Sequence, residues 1–207
     1  MTRSTRFVLP ILAACFCFFL TACSEKPKTD QSGSSMTIKE AKIDGFSNNI
    51  LKGLADTSFL YDINITGKDV KEWSVQIDEY SKGKYVRTLI TMSDPFQEEN
   101  RPTRFKLAAA RQVLSKTSEK WSLITYSKAD QTTASGTVDD TKTDYSVSSY
   151  SMAHLPLNLK KGEQKAIGAL VLTEGNSIAA FSGFEGEENL KTITNYDKVY
   201  LIKAELK

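Results

Sequence analysis

Apolar and polar residues alternate in short stretches along most of the chain, with turn-forming residues between the stretches. The clearest alternation covers residues 58–66, where aromatic and branched aliphatic side chains occupy every second position from Phe59 to Ile65. A period of two places successive side chains on opposite faces of a β-strand. This stretch therefore predicts a strand with one buried face.

A second pair of stretches predicts a β-hairpin. Trp73, Val75 and Ile77 alternate with polar residues, and residues 85–92, after a short polar segment, are again rich in strand-forming types. Glycine readily adopts the positive φ angles that tight hairpin turns require. We therefore expect the turn of this hairpin at Gly83.

Residues 105–116 fit two structures. Leu107, Arg111 and Leu114 are spaced as on a helix, and the alanines between them favour a helix by propensity. However, the strand-like stretch 121–126 follows after a short polar turn, as the partner strand of a hairpin would. The sequence favours a strand here, with the helix as the alternative.

Similar pentapeptides, KEWSV and EKWSL, surround the two tryptophans, Trp73 and Trp121. Because the similarity extends over few positions, it favours two similar strand openings on one sheet over a duplicated unit. We expect both indole rings to lie in the core.

About nine or ten short strands and at most one short helix account for residues 37–207. Frequent turns without helical crossovers predict a single all-β domain, an antiparallel β-sandwich of immunoglobulin-like character. A small β-barrel is the alternative. The likeness to immunoglobulins is one of architecture alone, since the predicted domain has no cysteine for their disulfide.

The N-terminal segment has a different pattern. Arg3 and Arg6 precede an apolar run at residues 7–20, which is 14 residues long, whereas a membrane-spanning helix needs about 20. A basic start, a short apolar centre and small residues at its end are typical of a cleaved export signal. One alternative is an uncleaved membrane anchor, which would need a longer apolar run. The other is an ordinary signal peptide that happens to end near a cysteine, which gives no reason for a cysteine at that position.

The tetrapeptide LTAC at residues 20–23 follows this run and resembles the lipobox of bacterial lipoproteins. The resemblance implies that residues 1–22 are a signal peptide and that Cys23 becomes the diacylglyceryl-modified first residue of the mature protein. Two acyl chains anchor a protein stably to a bilayer. We therefore expect a protein on the outer face of the cell membrane, similar to small lipoproteins of Gram-positive bacteria, with the polar residues 23–36 as a flexible tether.

Cysteine content and charge limit the types of catalysis and binding that the domain can carry out. Cys15 and Cys17 lie inside the predicted signal and Cys23 is the predicted lipidation site, so the predicted domain has no thiol. This excludes disulfides, thiolate catalysis and cysteine-based metal sites. Arg3 and Arg6 account for the excess of 27 basic over 25 acidic residues. The mature part is therefore electrically balanced, which gives no support to nucleic-acid binding.

No pattern of catalytic or cofactor-binding residues stands out. His154 is the single histidine, and we expect it to be a partly buried strand residue, because it lies at the start of an apolar run. No second ligand lies at a metal-binding spacing from it. Neither a G-x-S-x-G elbow nor a phosphate-binding glycine loop occurs. We therefore predict no catalytic residue, metal or cofactor. Phe184, between Gly183 and Glu185, is the one candidate contact residue, although its position favours folding back onto the core.

These observations lead to a functional expectation. We expect a membrane-tethered, non-enzymatic binding module whose partner is an envelope protein or a cell-wall component. One alternative is an envelope hydrolase that uses a pair of carboxylates, and a concave pocket with two converging carboxylates would favour it. The other alternative is a structural or assembly factor of the envelope, which a broad apolar patch on one sheet would favour.

Overall fold

Eleven β-strands and two short helices make up the part of the chain that the computed structural model describes, residues 33–67, 69–95, 104–128, 130–179 and 186–207. The strands are β1 (Ser35–Glu40), β2 (Thr57–Thr66), β3 (Glu72–Ser81), β4 (Lys84–Pro95), β5 (Arg104–Ser115), β6 (Ser118–Tyr126), β7 (Gln131–Val138), β8 (Val147–Met152), β9 (Leu157–Lys160), β10 (Gln164–Thr173) and β11 (Lys198–Leu206). The helices are α1 (Gly45–Leu54) and α2 (Glu187–Thr194). All of them belong to one unit of the chain, Ser32–Lys207.

The strands form two sheets that face each other across a common apolar core. The six-stranded sheet has the order β7-β6-β5-β2-β1-β9, and the five-stranded sheet has the order β4-β3-β11-β10-β8. Every pairing is antiparallel. The predicted all-β antiparallel sandwich is confirmed, and the sheets are not joined into the alternative barrel. The described strands number eleven, slightly more than expected.

The strongest sequence patterns correspond to regular strands. In β2 the alternation from Phe59 to Ile65 is an alternation of burial, and its buried side chains face the other sheet. The hairpin β3–β4 turns at Lys82 and Gly83, whose φ angles are +48° and +81°. Positive φ at both central residues is the feature of the turn type that best matches strand twist. The predicted position of the turn is therefore confirmed.

The ambiguous segment is a strand. Phe105, Leu107, Ala109 and Arg111 lie on the buried face of β5, so the period of two prevails over the helical propensity of the alanines. Pairing with β2 on one side and β6 on the other explains this result, because packing and ladder hydrogen bonds outweigh local preference.

The two tryptophans are both buried, as predicted, but they do not belong to one sheet. Trp73 lies on β3 of the five-stranded sheet and packs on Phe105 of the opposite sheet, with ring centroids 4.6 Å apart. Trp121 lies on β6 of the six-stranded sheet and packs on Tyr200 of the opposite sheet, at 5.0 Å. The expectation of one shared sheet is wrong, and each indole instead bridges the two sheets.

The sheets come very close together at Gly168 of β10. A Cβ atom there would lie 2.5 Å from the Tyr61 hydroxyl and 3.0 Å from the Phe59 ring. The same tyrosine donates a hydrogen bond of 3.0 Å to the carbonyl of Ile167. A residue without a side chain is therefore what allows β2 and β10 to pack at this point.

Two predicted details are corrected by the structure. At most one helix was expected, whereas α1 and α2 are both present; α2 begins with Glu187 and Glu188, whose charges favour a helix N-terminus. The fold also begins earlier than residue 37, because β1 starts at Ser35 and Met36 is fully buried. These two residues belong to the sandwich and not to the predicted tether.

Candidate functional site

A cleft of about 1160 Å³ opens beside α1. Four parts of the chain line it: the end of β1 with the following loop, the end of α1 with the start of β2, Gln112 and Val113 of β5, and two residues of β8 on the other sheet. Among the lining residues are Ala41, Ile43, Leu54, Leu60, Tyr150 and Met152. The cleft thus lies where both sheets and a helix meet.

Helix α1 is positioned by polar contacts at both ends. Asp44 caps its start, since its carboxylate accepts hydrogen bonds of 2.9 Å from both the backbone N–H and the hydroxyl of Ser47. After the helix, the backbone N–H of Asp56 donates to the carbonyl of Arg111 at 2.9 Å, and the Asp56 carboxylate accepts from the N–H of Val113 at 2.6 Å. The wall of the cleft is therefore fixed to β5.

Exposed apolar side chains are concentrated around this cleft. Ile43, Leu54 and Tyr150 line it with 36%, 65% and 63% of their surfaces exposed, and Ile50 of α1 is 46% exposed. Half of the eight large apolar residues that are exposed in the described part of the chain thus lie in the cleft or on its helix. Clustered exposed apolar surface is a common property of binding sites.

The charges of the cleft are few and of both signs. Glu40, Lys42, Lys52 and Asp56 line it. The Asp56 carboxylate is committed to the N–H of Val113, whereas the ammonium groups of Lys42 and Lys52 have no ion-pair partner among the described residues. The Glu40 carboxylate likewise has no ion-pair partner there, so the unpaired groups, two lysines and one glutamate, leave a net charge of +1, which favours a ligand that carries an acidic group.

A second polar feature lies inside the sandwich. Arg111 of β5 and Glu119 of β6 are side by side, with side chains 5% and 0% exposed. The guanidinium Nε donates to Glu119 Oε2 at 2.6 Å and Nη2 lies 2.6 Å from the same oxygen. Tyr200 of the opposite sheet donates its hydroxyl to the other carboxylate oxygen. We call Arg111, Glu119, Tyr200, Glu79 and Lys198 the ionic layer.

The remaining members of the ionic layer lie on the five-stranded sheet. Glu79 accepts a hydrogen bond of 2.8 Å from Arg87, and its other oxygen lies 3.9 Å from the ammonium of Lys198. Lys198 donates to the hydroxyl of Thr141 and to the carbonyl of Lys142, the latter at 2.8 Å. The loop between β7 and β8 thus covers a buried lysine.

Burial controls the protonation of this layer. It raises the pKa of the Tyr200 hydroxyl, and the neighbouring Glu119 carboxylate raises it further. Burial lowers the pKa of the Lys198 ammonium, an effect opposed by Glu119 and Glu79. Tyr200 therefore stays a hydrogen-bond donor at neutral pH and holds the two sheets together through Glu119.

The hydrolase alternative requires two carboxylates that converge in a concave pocket. The three buried carboxylates of the described residues, Asp78, Glu79 and Glu119, are paired with Lys203, Arg87 and Arg111 respectively, and none of them lines the cleft. The carboxylates that do line it are Glu40 and Asp56. Within the described ranges, no three histidine, cysteine, aspartate or glutamate side chains come together as a metal ion would require.

The residues singled out by the sequence lie elsewhere. Cys23 and Phe184 fall outside the described residues. His154 was expected to be a partly buried strand residue; it is instead an exposed residue of the loop between β8 and β9. None of the helices in the described part is both long and apolar enough to cross a membrane.

Comparison with protein families gives one result for the folded part. A family model described as the YgaN domain matches residues 37–206, nearly the whole sandwich. The chain belongs to the YgaN domain family. No family had been recognised for this domain from its sequence alone. Neither the curated proteins nor the solved structures gave a match.

The residues that line the cleft of this YgaN domain were not predicted from the sequence, although a signal for α1 exists. Asp44 is a preferred capping residue, and Phe46, Ile50 and Leu54 follow at intervals of four. The ionic layer also has a signal. Glu119 has the same parity as Trp121 on β6, so the alternation that predicts a buried tryptophan also predicts a buried carboxylate.

Proposed function

We propose that the chain is a membrane-tethered extracytoplasmic lipoprotein whose YgaN domain acts as a non-enzymatic binding module, with the cleft beside α1 as its binding site. The observation that carries this proposal is the group of exposed apolar side chains, Ile43, Leu54 and Tyr150, around a concave site of about 1160 Å³. The rest of the lining is largely polar and includes Glu40, Lys42, Lys52 and Asp56, and a concave site that combines apolar side chains with polar groups is a common position of a ligand.

The cleft supports binding more than hydrolysis. A hydrolase working here would draw on Glu40 and Asp56, and the Asp56 carboxylate already accepts a hydrogen bond of 2.6 Å from the backbone of Val113. That bond fixes the end of α1 to β5, which is a structural task. The apolar side chains beside these groups, Ile43, Leu54 and Tyr150, keep 36%, 65% and 63% of their surfaces exposed and so remain accessible to a ligand.

The cleft is tested with an apolar fluorescent probe, 1-anilinonaphthalene-8-sulfonate, and two leucine variants. Leu54→Asp replaces a leucine of the cleft that is 65% exposed, and we expect it to weaken probe binding about tenfold, since burying a leucine contributes about 1.5–3 kcal/mol. Leu114→Asp replaces a leucine that is 50% exposed outside the cleft and is expected to leave binding within about twofold. Fluorescence titration measures both dissociation constants. Equal losses in the two variants would contradict the proposed site.

The anchor is tested separately through Cys23. In the lipobox interpretation the thiol of Cys23 receives the diacylglyceryl group before the signal peptide is removed. Cys23→Ala is therefore expected to leave an uncleaved precursor without lipid, detected by its larger mass and by the absence of incorporated labelled palmitate. Cys17→Ala, which changes a cysteine inside the predicted signal, is the matched control and should be processed normally. Normal processing of the Cys23 variant would refute the anchor.

A further inference from the structure

The open edge of β8 borders the cleft, and its backbone is the feature that identifies a class of partner. β8 is the last strand of the five-stranded sheet, with β10 as its one neighbour in the described ranges. The N–H of Ala153 donates to the carbonyl of Ile167 at 2.9 Å, and Met152 is directly opposite Gly168. In an antiparallel ladder the residues that bond to the neighbour alternate with residues that do not. Ser151 and Ser149 therefore bond to β10.

The alternate residues of β8 direct their backbone groups away from the sheet. By the same register, the N–H groups of Ser148, Tyr150 and Met152 point to the open edge, as do the carbonyls of Ser148 and Tyr150. The carbonyl of Met152 accepts from the hydroxyl of Ser151 at 3.1 Å. The edge thus offers a row of donors and acceptors at strand spacing, about 20 Å long for six residues.

This edge lacks the devices that usually protect an edge strand, which are charges, prolines and shortness. The six residues of β8, VSSYSM, contain neither a charge nor a proline. The other strand at the end of the five-stranded sheet, β4, has two register irregularities in its pairing and also contains Lys84, Arg87, Asp94 and Pro95. At one end of the six-stranded sheet, the edge strand β9 is short, with four residues, and it follows Pro156.

The fourth edge strand, β7, lies against β4 of the other sheet, so these two edges shield each other. A Cβ atom on Gly136 of β7 would lie 3.3 Å from the carbonyl of Leu89 on β4, so the sheets meet along that side. The five-stranded sheet has one strand fewer than its partner. Because the β4 side is closed against β7, the place for a sixth strand is beside β8.

We propose that the cleft receives an extended peptide segment of a partner protein, which adds to β8 as a sixth strand and directs alternate apolar side chains into the space between the sheets. This inference rests on the proposed binding function. Tyr150 and Met152 supply cleft-lining side chains on β8 itself, next to the outward backbone groups. Main-chain hydrogen bonds give affinity in this mode of recognition, and pockets for alternate side chains give specificity.

Charge refines the description of the partner. Lys42 and Lys52 line the cleft without an ion-pair partner in the described part of the chain. The segment is therefore expected to be an alternating apolar and polar peptide that carries an acidic residue. A second copy of this chain is less suited to the edge, because β8 itself contains no acidic residue.

The test uses the full lipidated chain in detergent micelles and two fluorescein-labelled decapeptide pools of equal composition. One pool alternates Val, Leu or Phe with Thr, Ser or Glu, and the other groups the apolar residues together. We expect the alternating pool to bind at least tenfold more tightly. Binding should also slow amide hydrogen exchange at Ser148, Tyr150 and Met152, whose N–H groups point outward.

Two variants at Ser148 distinguish the contribution of its backbone N–H to binding from that of its side chain. Ser148→Pro removes an outward N–H and leaves the bonds to β10 in place, so we expect at least a tenfold loss of affinity for the alternating pool. Ser148→Ala keeps the N–H and should bind within about twofold of the wild type. Tyr150→Glu places a negative charge on the same edge, where it repels the acidic residue of the peptide, and should weaken binding about as much as Ser148→Pro. It provides a second test in case the proline variant does not fold.

The outcomes distinguish this inference from the proposed function. If 1-anilinonaphthalene-8-sulfonate binds in the cleft but neither pool does, or both pools bind equally, the strand addition is wrong and the binding function stands. If the probe does not bind in the cleft, the proposed function fails as well. A dimer in sedimentation that Ser148→Pro dissociates would overturn the peptide in favour of a second copy.

Discussion

Glu119→Gln is expected to lower the free energy of unfolding by about 3–5 kcal/mol. The substitution keeps the shape of the side chain and removes its charge. The Arg111 guanidinium, 5% exposed and 2.6 Å from the carboxylate, is then left as a buried charge without compensation. Removing one partner of a buried ion pair has a larger effect than the net contribution of the pair itself. Urea denaturation followed by circular dichroism measures the change.

The chain contains a matched control for this prediction. Lys142 and Glu174 form an ion pair with the same 2.6 Å separation, but their side chains are 48% and 51% exposed. Glu174→Gln is therefore expected to change stability by about 1 kcal/mol or less. Comparable effects at Glu174 and Glu119 would mean that burial of the ionic layer does not determine its energetics.

A triple variant tests whether the Arg111–Glu119–Tyr200 part of the ionic layer is needed for stability. Arg111→Met, Glu119→Leu and Tyr200→Phe together replace this ion pair and the hydroxyl bonded to it with apolar groups and leave Glu79 and Lys198 in place. Such replacements are often neutral or stabilising when they pack well. We expect the triple variant to recover most of the loss seen in Glu119→Gln, since the Arg111 guanidinium is then no longer present as a buried charge without its carboxylate.

Trp121→Ala is expected to destabilise the fold by about 3–5 kcal/mol, the range for truncating a buried aromatic side chain. Trp121 is completely buried and packs on Tyr200, with ring centroids 5.0 Å apart. Its loss removes a contact between the two sheets next to the ionic layer, and the rigid strands around it cannot fill the space. Thermal and urea unfolding measure the effect.

Tyr126→Ala is the control on the same strand. Tyr126 is an aromatic residue of β6 that is exposed, so its truncation is expected to change stability by about 0.5 kcal/mol or less. A loss below about 1 kcal/mol for Trp121→Ala would show that the indole does not help to hold the sheets together.

Local sequence patterns predict most of the strands but not which strands pair with one another in a sheet. The alternation in β2 and the turn at Gly83 follow from residue types that act within a few positions. Trp73 and Trp121 have similar flanking residues, yet they lie on opposite sheets. Sheet membership depends on which distant strands pair, and a pentapeptide contains no information about that pairing.

The cleft was unpredictable for a related reason. Residues 45–54 include Gly45, Asn48, Asn49 and Gly53, which are poor helix formers. The segment becomes helical in a position fixed by the bonds of Asp56 to β5. These bonds join residues about 55 positions apart. Local helix propensity therefore predicts neither α1 nor the concave surface that it forms.

The ionic layer was predictable in position but not in partners. The parity of β5 places Arg111 on the same face as Phe105, Leu107 and Ala109. That parity shows that a charge must be buried, and therefore compensated. The identity of the compensating residue depends on the β5–β6 register and on the opposite sheet, which supplies Tyr200.

The position of β11 has a consequence for the order in which the fold can form. β11 comes last in sequence among the described strands, yet it lies in the middle of its sheet, between β3 and β10, and the N–H of Lys207 donates to the carbonyl of Glu72 at 2.8 Å. Until residues 198–206 have been synthesised, β3–β4 and β8–β10 have no strand to join them. The two halves of the five-stranded sheet can therefore form separately, but the sheet is completed only when residues 198–206 insert between them.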